Sequence, residues 1–385
     1  MATEAIGARS PFYTAEHHAW REVVRRFVAR EIEPNVAAWE RARELPRALY
    51  RSAAAVGVIP LGFPAEYGGI PGDIFMQTVT TEELCRPAAG GVVASLMSHG
   101  IACSPIAAAG SEALKVRVLP PVLAGEKISA LAITEPSGGS DVANLRTTAR
   151  RDGDAYVVNG SKIFITSGVN ADFFTVAVRT GGPGIGGISL LVIERDRAGF
   201  TRQAQEKMGW HASDTAALFF DDVRVPAANL VGEENRGFSV IMRNFNGERL
   251  SLATIAIATA QVALDEAIAY ARARETFGRR LADHQAIRHK IVEMARRIGA
   301  ARAYRDAIAW SIANGESPVA DTCMLKIQAT TDLEFVAREA AQIFGGASYE
   351  LGTKIERIYR EVRVLAIGGG SEEIMRDLAA RQLGL

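Results

Sequence analysis

Apolar residues spaced three or four positions apart dominate both ends of the chain, whereas short apolar runs fill its middle. The first pattern predicts helices, at about 14–43, 46–56, 74–85, 91–109 and 111–122, and again at about 238–274, 284–313, 318–344, 354–364 and 371–383. The runs between them predict strands separated by Gly, Asp, Asn and Pro, namely ISALAIT, AYVVNGSKIFIT, FFTVAVRT, ISLLVIER and AALFFDDVRV.

This order of elements predicts an α+β protein with three parts. Residues 1–125 form an N-terminal α-helical domain, residues 126–235 a middle antiparallel β domain, and residues 236–385 a C-terminal bundle of four helices. Long helices joined by short loops favour such antiparallel packing. A chain of 385 residues can bury a large core in two or three units.

Composition narrows the class of protein. Hydrophobic residues make up 48% and charged residues 23% of the chain, as in an ordinary soluble globular protein. Basic and acidic residues both number 44, so no net field attracts nucleic acid or an anionic membrane. The N-terminus lacks the apolar core of a signal peptide, and no apolar run reaches the eighteen or so residues that span a bilayer. We therefore expect a cytoplasmic protein with no nucleic-acid or membrane partner.

The cysteines point to the same compartment. Cys85, Cys103 and Cys323 are odd in number, widely spaced and flanked by apolar residues. This pattern argues against a disulfide framework and against a zinc site, and it favours a reducing compartment. We expect no metal.

One glycine-rich segment imitates a nucleotide-binding motif. Residues 182–187, GPGIGG, fit the dinucleotide fingerprint G-x-G-x-x-G. In that motif a helix N-terminus follows the glycines and holds the pyrophosphate. Here the next residues, ISLLVIE, predict a strand. We interpret the segment as a loop between two strands.

The stretch 131–141, LAITEPSGGSD, carries candidate chemistry. An apolar strand runs to Thr134, and Glu135, Pro136 and the Ser-Gly-Gly-Ser turn end it, which leaves backbone N–H groups and hydroxyls free at its tip. Such a tip can seat a planar, hydrogen-bonding ligand, and it can equally be an ordinary hairpin turn. The stretch alone leaves both interpretations open.

Four stretches, taken in order, resemble motifs of the acyl-CoA dehydrogenases. They are TEPSGGSD at 134–141, a tight turn and strand NGSKIFITSG at 159–168, RETFG with HQ at 274–278 and 284–285, and QIFGG at 342–346. Together with the helix–sheet–helix order, the resemblance covers essentially the whole chain. It implies FAD as cofactor, an acyl-CoA substrate and an electron-transfer flavoprotein as partner. It also implies a homo-oligomer, most often a tetramer, because the flavin sites of this family are built across subunits.

The resemblance assigns flavin contacts along all of these stretches. Phe164, where the family more often has Trp, is placed against the flavin ring, and the Thr166 hydroxyl near its N5 atom. Arg274 suits the FAD pyrophosphate, a dianion that a forked guanidinium can bind, although a solvated charge is the alternative. The implied flavin residues are Leu131, Ile133, Thr134, Ser140, Phe164, Ile165, Thr166, Arg274, Thr276, Phe277, His284, Gln285, Gln342, Ile343, Gly345, Gly346, Ser371 and Glu373. The implied substrate residues are Ser140, Phe245, Arg249 and Gly370.

The catalytic base departs from the common pattern of the family. The usual base is a Glu just before the last helix, where this chain has Gly369. A subset of the family, including isovaleryl- and long-chain acyl-CoA dehydrogenases, places the base in a Glu-Arg-Leu segment of a long helix, which matches Glu248-Arg249-Leu250. A Glu-Arg pair on a helix is usually a solvated pair, but the lack of an acid at Gly369 favours Glu248. Gly369 keeps the backbone N–H that the family uses as a donor to the thioester oxygen.

The resemblance therefore implies an FAD-dependent acyl-CoA dehydrogenase. Such an enzyme converts an acyl-CoA thioester to the trans-2-enoyl-CoA: a carboxylate removes the α-proton, and the β-hydrogen leaves as hydride to the flavin. Two alternatives remain open, a flavin-dependent monooxygenase or oxidase on the same fold and a catalytically silent acyl-CoA- or flavin-binding protein. The length and branching of the acyl chain also stay open.

Overall fold

The computed structural model describes residues 10–385, except for the side chains at positions 244 and 246. Contacts group the chain into two compact units. The first consists of the described part of Met1–Ala37 with Asp73–Gly90 and Asn246–Leu385, and the second of Ala38–Gly72 with Gly91–Phe245. The division into residues 1–125, 126–235 and 236–385 stays a prediction.

Helices form at both ends of the chain, in the order that the apolar spacing predicts. Before the sheet they are α1 (Ala15–Phe27), α2 (Val36–Ala42), α3 (Arg47–Ala55), α4 (Ile74–Cys85), α5 (Gly90–Ala109) and α6 (Glu112–Leu123). After it they are α7 (Gly237–Ala273), α8 (Gln285–Ala313), α9 (Val319–Phe344), α10 (Lys354–Glu361), α11 (Arg363–Ile367) and α12 (Glu372–Gln382). Side chains accept a backbone N–H at the start of four helices, namely those of Asp73, Ser111, Thr353 and Ser371.

Two predicted helices are interrupted. The segment 14–43 is not one helix, because a π-helical turn at Val28–Ile32 and a 3-10 turn at Glu33–Asn35 separate α1 from α2. Pro34 lies in the 3-10 turn and has no N–H to donate, which breaks the α-helical hydrogen-bond ladder. The segment 354–364 also breaks, at Val362, and no feature of the sequence explains that break.

The second unit contains the large sheet. Its strands are β1 (Ser129–Ala132), β2 (Thr148–Asp152), β3 (Ala155–Thr166), β4 (Phe173–Arg179), β5 (Ile188–Glu194), β6 (Phe200–Ala204), β7 (Thr215–Pro226) and β8 (Leu230–Val231). The order is β6-β7-β3-β2-β4-β5-β8, and β1 pairs with β4. Most pairs are antiparallel, but β1–β4 and β2–β4 are parallel. The prediction of an antiparallel sheet is wrong for these two pairs, because no tight hairpin joins their strands and fixes their direction.

Strand β3 replaces a predicted turn. Residues 159–162, NGSK, lie within the strand, whose pairing with β7 shifts register between Val158 and Gly160 and again between Lys162 and Ile165. Gly160 has a φ of +140°, and a Cβ there would lie 2.7 Å from the Cα of Thr147. The Asn-Gly pair therefore marks a β-bulge with a close backbone approach rather than a turn.

The glycine-rich segment 182–187 is a loop between β4 and β5, as predicted. A 3-10 turn at Ile185–Gly187 leads directly into β5, so a strand and not a helix follows the glycines. The helix N-terminus that a dinucleotide fingerprint requires is therefore missing at this place.

The first unit is helical apart from one small hairpin. Helices α8 and α9 pack together, α12 packs on α9, and α1 packs on α4. Arg305 of α8 is fully buried and pairs with Glu82 of α4 at 2.7 Å and with Asp306 at 2.7 Å. Because a buried charge is costly unless it is paired, this network ties α4 to α8.

Two helices contradict the expectation that no stretch is long and apolar enough to span a membrane. Among the residues that the structure describes, α5 and α7 meet that test by length and composition. In the most apolar window of each helix, 56% of the residues are buried inside the structure. Buried core helices pass the same test, so these two helices are weak evidence for a membrane span.

Candidate active site

The end of β1 presents the predicted ligand-binding turn. The Thr134 carbonyl oxygen accepts the N–H of Ile163 at 2.9 Å, which holds the strand end beside β3. Thr134 and Leu131 are half-buried, Ile133 is buried, and residues 136–141, including Ser140, are exposed. The strand ends at Ala132, slightly earlier than predicted. An exposed polar turn at the tip of a buried strand is what the sequence predicts here.

Glu135 anchors this turn, a role that the sequence analysis missed. Its carboxylate accepts the N–H groups of Arg146 at 2.6 Å and Thr147 at 2.9 Å, and it pairs with the fully buried Lys162 at 2.8 Å. Lys162 also donates to the carbonyl oxygen of Ile133 at 3.0 Å. Burial would raise the pKa of Glu135, but the Lys162 ammonium and these donors outweigh it and lower the pKa to about 2. The turn is therefore fixed by an ionised, internally bonded carboxylate.

Phe164 is turned out of β3 by the second bulge. Its φ is +61°, its N–H donates to the side chain of Gln205 at 3.0 Å, and its side chain is 66% exposed. A positive φ at a bulky residue is strained and tends to persist at functional sites. Ile165 is buried and Thr166 half-buried. The strand thus presents an aromatic face with a threonine two residues away.

The third predicted motif lies at a two-stranded hairpin and at the start of the helix that follows it. Strand β9 (Glu275–Thr276) pairs with β10 (Arg279–Arg280), and Phe277, at the tip, has a φ of +53° and is 97% exposed. His284 precedes α8, and its Nε2 lies 3.4 Å from the Thr276 carbonyl oxygen. Arg274, before the hairpin, and Gln285, at the first position of α8, are exposed. The structure therefore brings all five predicted residues of this motif to one hairpin–helix junction.

The fourth motif closes α9. Gln342 is exposed, Ile343 is buried, and Gly345 ends the helix with a φ of +59°. A Cβ at Gly345 or at Gly346 would meet no other atom within 4 Å, so the backbone here can be approached closely. The side chains of Ile133, Ile165 and Ile343 belong to the cores of their units, so only their backbone groups are available to a ligand.

Glu248 lies on α7 in the first unit. Its Oε2 atom is buried and has no hydrogen-bond partner among the described residues. Burial raises the pKa of this carboxyl to about 7, although the cations of Arg249 and Lys326 act in the opposite direction. A buried carboxyl with a raised pKa and a free oxygen is a candidate general base.

Gly369 faces this carboxylate from the loop before α12. It has a φ of +66°, and a Cβ built on it would lie 3.7 Å from Oε1 of Glu248 and 2.4 Å from Cδ1 of Leu252. The next residue, Gly370, has a φ of +109°. The two predicted catalytic positions, far apart in the sequence, therefore meet in the structure.

The remaining predicted residues have diverse surroundings. Ser371 caps α12 by accepting the N–H of Ile374 at 3.5 Å, and Glu373, in the first turn of that helix, is exposed. Arg249 is buried. Phe245 packs against the apolar core of the second unit and is not a free wall residue. The first turn of a helix favours acidic residues, so Glu373 has a structural explanation as well.

Comparison with known proteins identifies the family. The models of the acyl-CoA dehydrogenase N-terminal, middle and C-terminal domains match residues 14–126, 130–223 and 235–384. The chain belongs to the acyl-CoA dehydrogenase family. Like the family, it is an FAD-dependent oxidoreductase. The predicted family, fold class, enzyme class and cofactor are confirmed.

Similar proteins are related to this acyl-CoA dehydrogenase over nearly their whole length. The mitochondrial long-chain specific acyl-CoA dehydrogenase of Sus scrofa is 36% identical over 382 residues, which cover 98% of this chain and 88% of that protein. The crystal structure of a probable acyl CoA dehydrogenase from Mycobacterium abscessus is 51% identical, with a TM-score of 0.95 and coverage of 97% and 100%. The structure of a glutaryl-CoA dehydrogenase from Mycobacterium smegmatis in complex with FADH2 is 26% identical, with a TM-score of 0.91 and coverage of 97% and 96%.

The residues present in this acyl-CoA dehydrogenase suit FAD. In the second unit, the exposed ring of Phe164 offers a flat face to a heteroaromatic ring, and Thr166 adds a hydroxyl. In the first unit, the exposed guanidinium of Arg274 suits a pyrophosphate, and the open space beside Gly345 and Gly346 admits a ligand to the backbone. Each of these chemistries matches one part of the cofactor.

Proposed function

We propose that Glu248 is the base of this acyl-CoA dehydrogenase and removes the α-proton of the thioester on the way to the trans-2-enoyl-CoA. One observation carries the proposal: a Cβ at Gly369 would lie 3.7 Å from Oε1 of Glu248. The carboxylate thus reaches the place where a side chain at the common base position of the family would begin. A solvated Glu-Arg pair, the alternative from the sequence, does not agree with the buried Oε2 atom.

The surroundings of Glu248 suit proton abstraction. A base works best when its pKa is close to the operating pH, and burial raises the pKa of Glu248 to about 7. The α-proton is weakly acidic, so the negative charge that develops on the thioester oxygen needs donors. The backbone N–H of Gly369 is our candidate for one of them. FAD, when bound, accepts the β-hydrogen as a hydride.

In the second unit we assign flavin binding to the turn and the bulge, and in the first unit the resemblance assigns the hairpin and the end of α9 to the flavin of a neighbouring subunit. The backbone of Leu131, Ile133 and Ile165, with Thr134, Phe164 and Thr166, would contact the ring. Arg274, with its neighbours in the hairpin and at the start of α8, would contact the pyrophosphate. Their exposure and donor chemistry support this assignment.

The size and branching of the acyl group that can bind depend on which residues fill the space beside Gly369. A glycine there removes a side chain, which would make room for branched or long acyl groups, but Leu252 occupies part of that room, since its Cδ1 lies 2.4 Å from a Cβ position at Gly369. Anaerobic mixing of the holoenzyme with butyryl-, octanoyl-, palmitoyl- and isovaleryl-CoA would rank these substrates by the rate of flavin bleaching.

We propose an electron-transfer flavoprotein as acceptor of the electrons from the reduced flavin. Rapid reoxidation of the flavin by oxygen instead would favour the oxidase alternative.

A homo-oligomer is part of the proposal, and a tetramer is the expected form. Tyr349 and Leu351, just after α9, are 95% and 86% exposed, and Phe277 is more exposed still. Burial of such large apolar side chains against another chain would be favourable. A second copy of the chain is the occupant we propose, because by the resemblance Phe277 and the end of α9 serve the flavin of a neighbouring subunit.

Arg274→Ala is expected to weaken FAD retention roughly ten- to a hundredfold, since a hydrogen bond to a charged group contributes about 1.5–3 kcal/mol. Dialysis of the purified holoenzyme, followed by measurement of the flavin that stays bound, checks this. Arg296→Ala is the matched control, because Arg296 pairs on the surface with Glu293 of the same helix. Equal retention of FAD in Arg274→Ala and the wild type would refute the assignment of Arg274.

Leu351→Asp is expected to dissociate the oligomer, because a charged side chain is costly to bury in an interface. Light scattering at several protein concentrations would report a smaller mass than that of the wild type. Val116→Asp, at a residue 57% exposed in the second unit, is the control for a new surface charge. An unchanged mass in Leu351→Asp would remove this residue from the interface.

A further inference from the structure

Lys326 is a buried cation that the mechanism above does not use. It lies on α9 and is only 1% exposed. Its Nζ donates to the carbonyl oxygen of Gly370 at 2.5 Å. A lysine is almost never fully buried without a partner, because its charge loses hydration. Its position next to the base therefore calls for an explanation.

Lys326 and Glu248 converge on the same glycine. The Cβ position of Gly369 lies 3.8 Å from Cε of Lys326 and 3.7 Å from Oε1 of Glu248. One side chain comes from α9 and the other from α7. The loop before α12 contains three consecutive glycines, Gly368 to Gly370. It has little conformational preference of its own, since glycine loses the most backbone freedom on folding. The Gly368 N–H donates to the carbonyl oxygen of Val364 at 2.8 Å, and the Lys326 side chain holds the carbonyl group of Gly370.

We propose that Lys326 is a positioning residue of the reaction, which holds the Gly369–Gly370 backbone and keeps a positive charge beside the Glu248 carboxylate. The inference rests on the proposed role of Glu248 as the base. Lys326 itself is not expected to touch the substrate. It acts through the orientation of the Gly369 N–H and through the charge state of Glu248.

The electrostatics around both groups agree with this role. Burial, with a smaller effect of Arg249 in the same direction, lowers the pKa of Lys326 to about 8, although Glu248, Cys323 and Glu372 act in the opposite direction. For Glu248, burial raises the pKa to about 7, and Arg249 and Lys326 oppose that rise. Because a neighbouring cation favours a carboxylate, removal of the Lys326 charge must raise the pKa of Glu248.

Three substitutions separate the two parts of this role. Lys326→Gln removes the charge but keeps a donor for Gly370, Lys326→Met removes both, and Lys326→Arg keeps both. In the pH profile of flavin reduction by the best of the four acyl-CoA substrates, the acid limb should move up by about one pH unit in the Gln and Met variants. In the Arg variant it should stay close to that of the wild type, because the neighbouring cation is kept. Lys326→Met alone should also weaken acyl-CoA binding several-fold, because it releases the loop.

A second readout is independent of turnover. Infrared difference spectra between acid and neutral pH contain the band of the protonated Glu248 carboxyl, which is assigned by its absence in Glu248→Gln. The midpoint of this band should rise in Lys326→Gln by the same amount as the acid limb. Lys354→Met is the control, since Lys354 pairs with Glu266 on the surface of the same unit at 3.1 Å. If the Met variant does not fold, the Gln and Arg variants decide.

The outcomes separate this inference from the proposed function. An inactive Glu248→Gln together with an unshifted acid limb and infrared midpoint in Lys326→Gln would overturn the role of Lys326 and leave the base in place. A fully active Glu248→Gln would overturn both. An upward shift of the acid limb in Lys326→Gln but not in Lys326→Arg supports the positioning role. A lysine with a purely structural role would not produce this difference.

Discussion

Glu248→Gln is expected to lower the rate of flavin reduction by acyl-CoA about 10²- to 10⁴-fold, which is the usual contribution of a positioned base. Glutamine keeps the shape and the hydrogen-bonding reach of the side chain but cannot accept a proton. The FAD content and the acyl-CoA affinity should stay close to those of the wild type, because the carboxylate is assigned to neither. Anaerobic stopped-flow bleaching measures the rate, and spectral titration measures the binding.

A glutamate on the same helix provides the control for Glu248→Gln. Glu266, further along α7, lies on the surface and pairs with Lys354, so Glu266→Gln should reduce its flavin at the wild-type rate. Full activity in Glu248→Gln would refute the base assignment and direct attention to Glu372 and Glu373, the acids that begin α12. Loss of both bleaching and FAD would indicate damage to the fold, and the circular dichroism spectrum would show it.

Returning the carboxylate to position 369 is expected to recover about one to two orders of magnitude of the lost rate, but only when Leu252 is shortened as well. Gly369→Glu in the Glu248→Gln background places a side chain at a φ of +66°, and its Cβ would lie 2.4 Å from Cδ1 of Leu252. The backbone strain costs about 1–2 kcal/mol, and the contact forces the leucine to move. Adding Leu252→Ala removes the contact, so that only the strain remains.

Flavin bleaching in four proteins measures this rescue: Glu248→Gln alone, with Gly369→Glu, with Leu252→Ala, and with both. Straight chains of medium length should profit most, because the new side chain takes space that a branched chain would use. Leu252→Ala without the new glutamate should recover nothing. Recovery without Leu252→Ala would show that the leucine yields easily, and failure with it would locate the obstacle in the backbone of Gly369.

Much of the fold follows from the sequence because the deciding signals are local. The apolar spacing of α7, α8 and α9 predicts long helices, and Gly345 marks the end of α9 within one residue of the predicted limit. The loop at 182–187 follows from the strand behind it. By contrast, the parallel pairing of β1 with β4 depends on which distant strand has a free edge, and no local pattern encodes that.

The residues of the candidate site also divide into those that the sequence could predict and those that it could not. Thr134, Arg274 and Glu248 could be found because they belong to motifs, and the chemistry of each suits its expected partner. Lys326 could not, since a lysine within an amphipathic helix usually lies on the solvated face. Its contact with the Gly370 carbonyl oxygen forms only in the folded structure, where the loop before α12 lies against α9.

The strained backbone at Phe164 and Phe277 had no clear signal either. Glycine normally occupies a positive φ, and here two phenylalanines adopt it, at +61° and +53°. The sequence predicted an ordinary strand for the first and a helix-end motif for the second. In both cases the surrounding tertiary structure overrides the local backbone preference and holds the residue in a strained conformation.

The left-handed backbone at Gly369 also bears on how this enzyme can evolve. A glutamate introduced there alone would be strained and would lie too close to Leu252, so we expect the single substitution to destabilise the protein even though it adds an acid. Shortening Leu252 first would remove apolar contacts and would add no acid. We therefore expect that moving the acid from the long helix to position 369 requires two changes together, each of which is unfavourable alone.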